Sequence, residues 1–377
     1  MKKRLFLLPL LLLSGGSKSG SPFKNPRVIA LGEDHSPGAL AAGDFDRDGK
    51  LDLIVGSDGS NDVILFVGDG RGGFRRAGSF AAGPSPAEIA AADFNRDGNL
   101  DLAIANHGVE LVTILLGDGK GVFRPAPASP LHVRSRPHPH TIASCDVDGD
   151  GLLDLVIDSW GEKRFTLLKG AGDGSFATPG VSIEALRKPY RNVKLADLDG
   201  DGRCDLVAPN MVERAVTILK GDGKGGFHGE ESLFPAGPSP FSVAVGDIDR
   251  DGKPDLAVAN YSGHIADPSG DGLTFLLNVG RGRFRLGARI PTGRGSGDVA
   301  VGDVNGDGYA DAVTANMGGD ITVAFGGPGG FSAERSLTIP AGGRPQRVLL
   351  ADFDGDRRAD AVTANSASRS ISIFLTR

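Results

Sequence analysis

Short runs of apolar residues, separated by glycine-rich turns, make up most of the chain. Examples are VILFV at 63–67, VTILL at 112–116 and VTIL at 216–219. No window shows a long apolar run at helical spacing, and short runs bounded by turns are typical of β-strands. The pattern predicts an all-β protein.

One polar motif interrupts these runs at regular intervals. It first appears as GDFDRDGKLDL at 43–53 and recurs from Asp93, Asp146, Asp197, Asp247, Asp303 and Asp352. In each unit a small-residue strand precedes the motif. Two apolar strands, a glycine turn ending in Phe and a weaker fourth strand follow it. Four strands in a unit of about fifty residues are typical of a propeller blade. The repeats predict a seven-bladed β-propeller of four-stranded blades.

The two ends of the chain complement each other. SISIFLTR at 370–377 is the third strand of the seventh unit. Phe23 opens a segment in register with the Phe residues that open the other fourth strands. We expect the N-terminal strand to complete the last blade, because a closed ring leaves no open sheet edge. A linear solenoid or separate modules would not explain this match, so we predict one domain over 23–377.

The first residues have the pattern of a secretory signal peptide. Lys2, Lys3 and Arg4 precede an apolar stretch at 5–13, and small residues follow at 14–16. The stretch is too short to span a bilayer comfortably. We predict a signal peptide at 1–16, a short linker at 17–22, and a secreted protein, extracellular or periplasmic, without a membrane span.

The composition agrees with a β-rich fold, because 58 Gly residues are too many for a mainly helical protein. Two cysteines, Cys145 and Cys204, are too few for a disulfide scaffold. They fall in neighbouring blades at the same level, so a disulfide is one alternative. We expect two small buried thiols instead, because the equivalent positions elsewhere hold small or apolar residues.

The repeated motif has the residue types of a calcium loop. Asp44, Asp46 and Asp48 alternate, Gly49 permits a positive φ, and the Lys50 carbonyl and Asp52 complete an oxygen cage. An EF-hand would require a Glu at position twelve, which is Val55, so this chelate would end at position nine. Hard oxygen ligands favour Ca²⁺. Ordinary turn formation is the alternative, and four acidic positions at constant spacing argue against it.

We expect up to seven Ca²⁺ ions. In the second to fourth repeats the candidate ligands are Asp93, Asn95, Asp97, Asn99, Asp101; Asp146, Asp148, Asp150, Leu152, Asp154; and Asp197, Asp199, Asp201, Arg203, Asp205. In the last three they are Asp247, Asp249, Asp251, Lys253, Asp255; Asp303, Asn305, Asp307, Tyr309, Asp311; and Asp352, Asp354, Asp356, Asp360. Arg357 replaces the loop glycine, so the site at Asp352–Asp360 is predicted to be the weakest.

The DxDxDGxxDL motif, the GxGxF turn and the Phe-led strand resemble the FG-GAP/VCBS repeats of the integrin alpha-subunit propeller and its bacterial relatives. The resemblance covers Phe23 to Arg377. It implies a seven-bladed propeller with Ca²⁺ in the loops between the first and second strands, on the lower face. It leaves function open, because this scaffold serves adhesion, lectin activity and some enzymes.

The loops of the opposite, upper face carry the candidate ligand-binding residues, because loops on a rigid scaffold usually hold binding residues. These are His107, His138, His140, Trp160, Tyr190, Arg191, Tyr261 and His264. His107, His138 and His140 have two further interpretations, a transition-metal site or ordinary exposed polar residues. Trp160 could instead cap its blade.

No nucleophile elbow, phosphate-binding loop or zinc-protease motif is present, and no catalytic residue is assigned. No polybasic stripe with aromatics indicates nucleic-acid binding. We expect a monomeric binding or adhesion module for a protein or glycan, without a nucleic-acid partner. The alternatives are a carbohydrate-active lyase or hydrolase that uses His138 and His140, and a structural module of the envelope.

Overall fold

A ring of seven antiparallel sheets forms the protein, which confirms the all-β, seven-bladed propeller. The structure is a computed structural model that describes residues 21–133, 138–158, 163–185, 192–264 and 270–377. The predicted signal peptide and most of the predicted linker lie outside these residues. No helix in the described ranges is long and apolar enough to cross a membrane.

The blades are numbered along the chain, and each is given from its first to its fourth strand. Blade 1 is Pro37–Gly43, Asp52–Ser57, Asp62–Gly68 and Phe74–Ala81; blade 2 is Pro86–Ala92, Asp101–Asn106, Leu111–Gly117 and a divided fourth strand, Phe123–Pro125 with Leu131–His132. Blade 3 is Ile142–Cys145, Asp154–Asp158, Arg164–Leu168 and Val181–Glu184; blade 4 is Lys194–Ala196, Asp205–Asn210, Ala215–Gly221 and Phe227–Pro235.

Blade 5 is Pro240–Gly246, Asp255–Asn260, Gly272–Asn278 and Phe284–Ile290; blade 6 is Ser296–Gly302, Asp311–Asn316, Asp320–Ala324 and Ser336–Pro340. Blade 7 is Pro345–Ala351, Asp360–Asn365, Ser370–Phe374 and, from the N-terminal end, Arg27–Ala30. Short 3₁₀ helices are found at Ser262–His264 and Ala333–Arg335.

The first strands lie innermost, and each contacts the first strands of the neighbouring blades. Their small residues, as in PGALAAG and PAEIAAA, allow this close approach. The core lies between blades: Phe45 and Ile54 of blade 1 pack with Leu102 and Phe123 of blade 2. Burial of each such side chain stabilises the fold by about 2 kcal/mol.

The fourth strand of blade 2 differs from the others because it is divided. The sequence FRPAPASPLH places prolines at 125, 127 and 130, and proline cannot donate a backbone hydrogen bond. Part of the pairing is retained by other groups. The Ala126 amide donates to the Ile114 carbonyl at 3.0 Å, and the Ile114 amide donates to the Ser129 hydroxyl at 2.9 Å.

The N-terminal segment closes the ring as expected. Arg27–Ala30 pairs antiparallel with the third strand of blade 7, and Phe23 forms a bridge with Thr376. The Phe23 ring is buried and lies 5.8 Å from the Phe374 ring. The Lys24 amide donates to the Leu375 carbonyl at 2.7 Å. The described N-terminal segment from residue 21 and the C-terminal strand are thus held in one blade.

The expectation of two free thiols is wrong, because Cys145 and Cys204 form a disulfide. Cys145 ends the first strand of blade 3, and Cys204 immediately precedes the second strand of blade 4. Their Cα atoms are 6.6 Å apart, within the range that a disulfide spans. At the equivalent contact between blades 1 and 2, Gly43 faces Leu100. The disulfide thus takes the place of a contact between a small and an apolar residue of neighbouring blades. Sequence position alone could not tell a disulfide from such a contact.

Candidate functional site

The seven Asp-rich loops join the first strand of each blade to its second strand, as the repeat predicted. Loop positions are counted from the first Asp, so Asp44 is position one and Asp52 is position nine. In every loop the amide of position six donates to the carboxylate of position one, at 2.8 to 3.1 Å. The amide of position seven donates to the carboxylate of position five, at 2.8 to 3.0 Å. The loops therefore share one backbone conformation.

This conformation brings carboxylates together. In at least four loops three carboxylates each offer an oxygen within 4.8 Å of the others: Asp44, Asp46, Asp48; Asp146, Asp148, Asp154; Asp197, Asp199, Asp205; and Asp247, Asp249, Asp251. The donor atoms are all hard oxygens, which fits Ca²⁺ better than a transition metal. The position-seven residues are predicted to bind the ion through their backbone carbonyls. Their backbone amides donate to the position-five carboxylates, as given above.

Lysine ammonium groups contact several of these carboxylates. Lys50 Nζ lies 2.6 Å from Asp48 Oδ2, Lys169 Nζ lies 2.6 Å from Asp148 Oδ2, and Lys220 Nζ lies 2.7 Å from Asp199 Oδ2. The hydrogen bond from Lys50 lowers the pKa of Asp48. The loop carboxylates thus attract the positively charged side chains that lie nearby.

The position-nine aspartates have a structural role that the motif did not reveal. They are at most 1% exposed, and all seven connect the loop to the third strand. One carboxylate oxygen accepts the position-two amide at 2.9 to 3.0 Å. The other accepts an amide at or just after the end of the third strand, at 2.6 to 2.9 Å. The signal available in the sequence was a charged residue beginning an otherwise apolar strand.

Burial raises the pKa of these carboxyls. The pKa reaches about 6 for Asp52, Asp101 and Asp360, and about 7 for Asp311. The backbone hydrogen bonds oppose this rise without cancelling it, and the other loop carboxylates add to it. A bound cation would favour the ionised form.

Left-handed backbone is found at two positions of each loop. Position six has φ of 83° at Gly49 and 69° at Arg357, so the expected positive φ at Arg357 is present. Position four is also left-handed, and there Arg47, Arg96 and Arg250 adopt φ of 59°, 61° and 64°. Position four is Arg in three loops and Gly in the other four.

On the upper face the structure brings three predicted residues together. The ring centres of His107 and His138 are 4.2 Å apart, and His140 lies 4.7 Å from His107 and 4.8 Å from His138. Tyr261 is apart from this group and packs edge-on against Phe241 at 4.9 Å. Trp160, Tyr190 and Arg191 lie outside the described residues, and so does the side chain of His264.

A cavity of about 220 Å³ occupies the mouth of the ring beside the histidines. Its lining comes from several blades and includes His107, His140, Phe241, Met317, Arg344 and Arg347. It combines some apolar surface with imidazole groups, arginines and the Asp58 carboxylate, as a binding site for a polar organic ligand would.

A charged cluster that includes the cavity-lining residue Arg347 was not predicted. Arg347 Nη2 lies 2.9 Å from Glu88 Oε2, and Lys194 Nζ lies 3.3 Å from Glu88 Oε1. Nearby, Asp298 accepts the Ser242 hydroxyl at 2.7 Å, and burial raises its pKa. The signal was a polar or charged residue within first strands that otherwise hold small residues, as in PAEIAAA and SGDVAVG.

Several solved structures resemble this fold. A chain from the structure of BBS1N in complex with ARL6DN matches with a TM-score of 0.63 and 11% identity, over 95% of this chain and 98% of that one. An Agrocybe aegerita lectin, described as recognising non-reducing terminal N-acetylglucosamine, matches with a TM-score of 0.58 and 18% identity, over 88% and 86%. Streptogramin B lyase matches with a TM-score of 0.58 and 13% identity, over 94% and 98%. At these identities the similarity establishes the fold alone.

No curated protein sequence matches the chain significantly. The FG-GAP-like repeat family matches it at residues 44–104, 93–157, 146–208, 197–258 and 303–363. These segments include all seven Asp-rich loops and cover more than half of the chain. The closer likeness to integrin alpha subunits stays a prediction. By its repeats and its seven-bladed ring, the chain belongs to the FG-GAP repeat family.

Proposed function

We propose that this protein is a secreted, calcium-stabilised propeller that acts as a binding module and recognises a protein or glycan ligand through its upper face. The observation that carries the proposal is the contrast between the two faces. One face repeats a single oxygen-rich loop seven times, and the other surrounds a cavity with unlike side chains.

The loop geometry supports calcium. Positions one, three, five and nine would hold the ion through carboxylate or amide oxygens, as in Asp44, Asp46, Asp48 and Asp52. Bound Ca²⁺ would neutralise the clustered carboxylates and cross-link the loop. The lysine contacts show that the loops already draw positive charge, and one divalent ion would replace this weaker compensation.

The cavity supports ligand recognition. Arg344 is exposed at its edge, while Phe241 and Met317 supply apolar surface. Arginine and aromatic groups are enriched where surfaces bind proteins, and the same groups suit a sugar or an anion. Propellers of similar fold include a chain from a protein complex and a lectin.

The disulfide supports secretion. Bonds of this kind persist in oxidising compartments and are rare in the cytosol. Together with the predicted signal peptide, Cys145–Cys204 favours an extracellular or periplasmic location.

Thermal unfolding in EDTA, Mg²⁺ and Ca²⁺ tests the metal part of the proposal. Each site at ten times its dissociation constant adds about 1.4 kcal/mol to the free energy of unfolding. We expect a large rise in Tm that is selective for Ca²⁺. The variant Asp44→Asn with Asp46→Asn should bind one Ca²⁺ fewer by calorimetry. Equal Tm values in EDTA and Ca²⁺ would mean that the loops are ordinary turns that bind no calcium.

A glycan array and a screen of extracellular proteins, both in calcium buffer, test recognition. Any ligand of the upper face should lose at least about tenfold in affinity with Arg344→Ala, the loss of one charge-assisted contact. Arg75→Ala is the matched control, because Arg75 is exposed on the outer fourth strand of blade 1. A ligand that binds both variants equally would contradict the assignment to the upper face.

A further inference from the structure

Three histidines converge at the edge of the upper cavity, and they come from two blades. His107 follows the second strand of blade 2, and its amide donates to the Ser85 carbonyl at 2.9 Å. His138 and His140 precede the first strand of blade 3. The chain contains seven histidines in total, so this cluster gathers three of the seven in one place.

The sequence His138-Pro139-His140 explains part of this arrangement. A residue before proline is biased towards an extended backbone, and side chains two residues apart on an extended backbone point to the same side. The proline therefore helps to present both imidazoles to His107. One ligand nitrogen from each of the three lies within 4.8 Å of the others. In a tetrahedral zinc site, with Zn–N bonds of about 2.1 Å, the nitrogens are about 3.4 Å apart. Small rotations of the rings would close this difference.

A carboxylate lies behind the cluster. Asp158 Oδ2 is 3.4 Å from His140 Nδ1, and both residues are buried. Asp158 Oδ1 accepts the amides of His140 at 2.6 Å and of Thr141 at 2.9 Å. Histidines that bind metals commonly direct their second nitrogen at a carboxylate, which orients the ring and increases its basicity. Here that arrangement assigns Nε2 of His140 to the metal.

We propose that His107, His138 and His140 form a binding site for a divalent transition metal, with Zn²⁺ the best match. Imidazole nitrogen selects Zn²⁺, Cu²⁺ or Ni²⁺ over Ca²⁺, whereas the Asp-rich loops offer only hard oxygens. Three close imidazoles repel one another when protonated and bind metal when neutral. The protein thus separates two classes of metal on its two faces.

Among the described residues, His107 and His140 both line the cavity, so a fourth ligand would reach the metal from the cavity. Three protein ligands with an open position are typical of zinc sites that bind a water or a substrate group. Arg344 is exposed and lines the same cavity, whereas Arg347 is paired with Glu88. A metal-bound ligand with an anionic group would therefore meet the cationic side chain of Arg344.

The test uses tag-free full-length mature protein in millimolar Ca²⁺, which occupies hard oxygen sites. Zn²⁺ binding is measured by calorimetry, and Co²⁺ is used as a spectroscopic probe. We expect one high-affinity Zn²⁺ per chain and the visible absorption of four-coordinate Co²⁺, abolished by Zn²⁺. His107→Ala and His138→Ala are the first variants, because both side chains are only partly buried and tolerate truncation better than His140.

Each of these variants should weaken Zn²⁺ binding by at least about 100-fold. Asp158→Asn keeps an oxygen for the two backbone amides and removes the carboxylate, so a loss of about 10- to 100-fold is expected. His132→Ala is the matched control, because His132 is an exposed histidine of blade 2 outside the cluster. Unchanged Tm in Ca²⁺ shows that the variants are folded. Absence of the Co²⁺ absorption, or equal Zn²⁺ affinity in the His107, His138 and His132 variants, would overturn the proposal.

Discussion

Arginine in left-handed backbone distinguishes otherwise similar loops. Arg47, Arg96 and Arg250 adopt a positive φ at position four, whereas Arg357 does so at position six. The two positions differ in their surroundings. The position-six amide contacts the first carboxylate of the loop, and in blade 7 the next residue, Arg358, also forms an ion pair with Asp356. In blade 7 two cationic residues, Arg357 and Arg358, therefore follow one another directly after Asp356.

Arg357→Gly should stabilise the protein and strengthen calcium binding in blade 7. Release of a non-glycine residue from left-handed backbone contributes about 1 kcal/mol, and loss of the cation favours Ca²⁺. Arg96→Gly is the matched control, because it relieves a similar φ at position four. Tm in EDTA should rise in both variants. On addition of Ca²⁺, Tm should rise further in Arg357→Gly than in Arg96→Gly. An equal rise in both variants would mean that the cation at position six does not weaken calcium binding.

Within each blade, hydrogen bonds connect the Asp-rich loop to the third strand. The position-nine Asp accepts one backbone amide from the loop and one from the end of the third strand, so the lower loop is tied to the sheet. Between blades, most contacts are apolar, as between Phe45 and Phe123, whose rings are 5.7 Å apart. Blades 3 and 4 add the covalent link Cys145–Cys204.

Removal of that link with Cys145→Ala and Cys204→Ala should lower the free energy of unfolding by about 2–4 kcal/mol. The disulfide joins residues 59 positions apart, and its loss frees the unfolded chain. Alanine fits both sites, since equivalent positions hold small or apolar residues. Tm of the native protein should fall in reductant to that of the double variant, and the double variant itself should not respond. If the thiols become titratable in reductant but the Tm of the native protein does not change, the disulfide does not stabilise the fold as predicted.

At the scale of the whole molecule, the ring closes through its N-terminal strand, and seven similar blades create two unlike faces. The lower face repeats acidic loops, so electrostatic effects there add over the blades. Burial raises the pKa of at least seven equivalent carboxyls, which makes the metal-free protein sensitive to pH.

In EDTA, Tm should fall as pH rises from 5 to 7.5. An Asp whose folded-state pKa is about 6 or 7, compared with an ordinary value of 3.8, binds protons more strongly in the folded state. Its stabilisation is complete below the unfolded pKa and is lost as pH rises through the folded pKa, by about 1.4 kcal/mol per pKa unit for each group. The exposed carboxyls with lowered pKa, such as Asp48, titrate below this interval.

In Ca²⁺ the slope should be reversed, because calcium requires ionised carboxylates. Asp311→Asn removes the group with the highest of these pKa values and should make the slope in EDTA shallower. A metal-free Tm that rises steadily over the same pH interval would be inconsistent with buried, proton-binding aspartates.

The sequence by itself determined the architecture. Its repeat length, its alternation of apolar runs with glycine turns and its Asp spacing are local properties, and local patterns specify strands, turns and the number of blades. The complementary ends predicted how the ring closes. Even the loop conformation followed from Asp and Gly at constant positions, because backbone sterics and short-range hydrogen bonds act within a few residues.

Only the tertiary structure decided which distant residues meet. Cys145 and Cys204 are far apart in sequence, and their pairing depends on the distance between neighbouring blades. The contacts of Glu88 with Arg347 and Lys194 cross the ring, and so does the lining of the upper cavity. His107 joins His138 and His140 because two blades pack side by side. These contacts depend on the curvature of the closed ring, which no local pattern encodes.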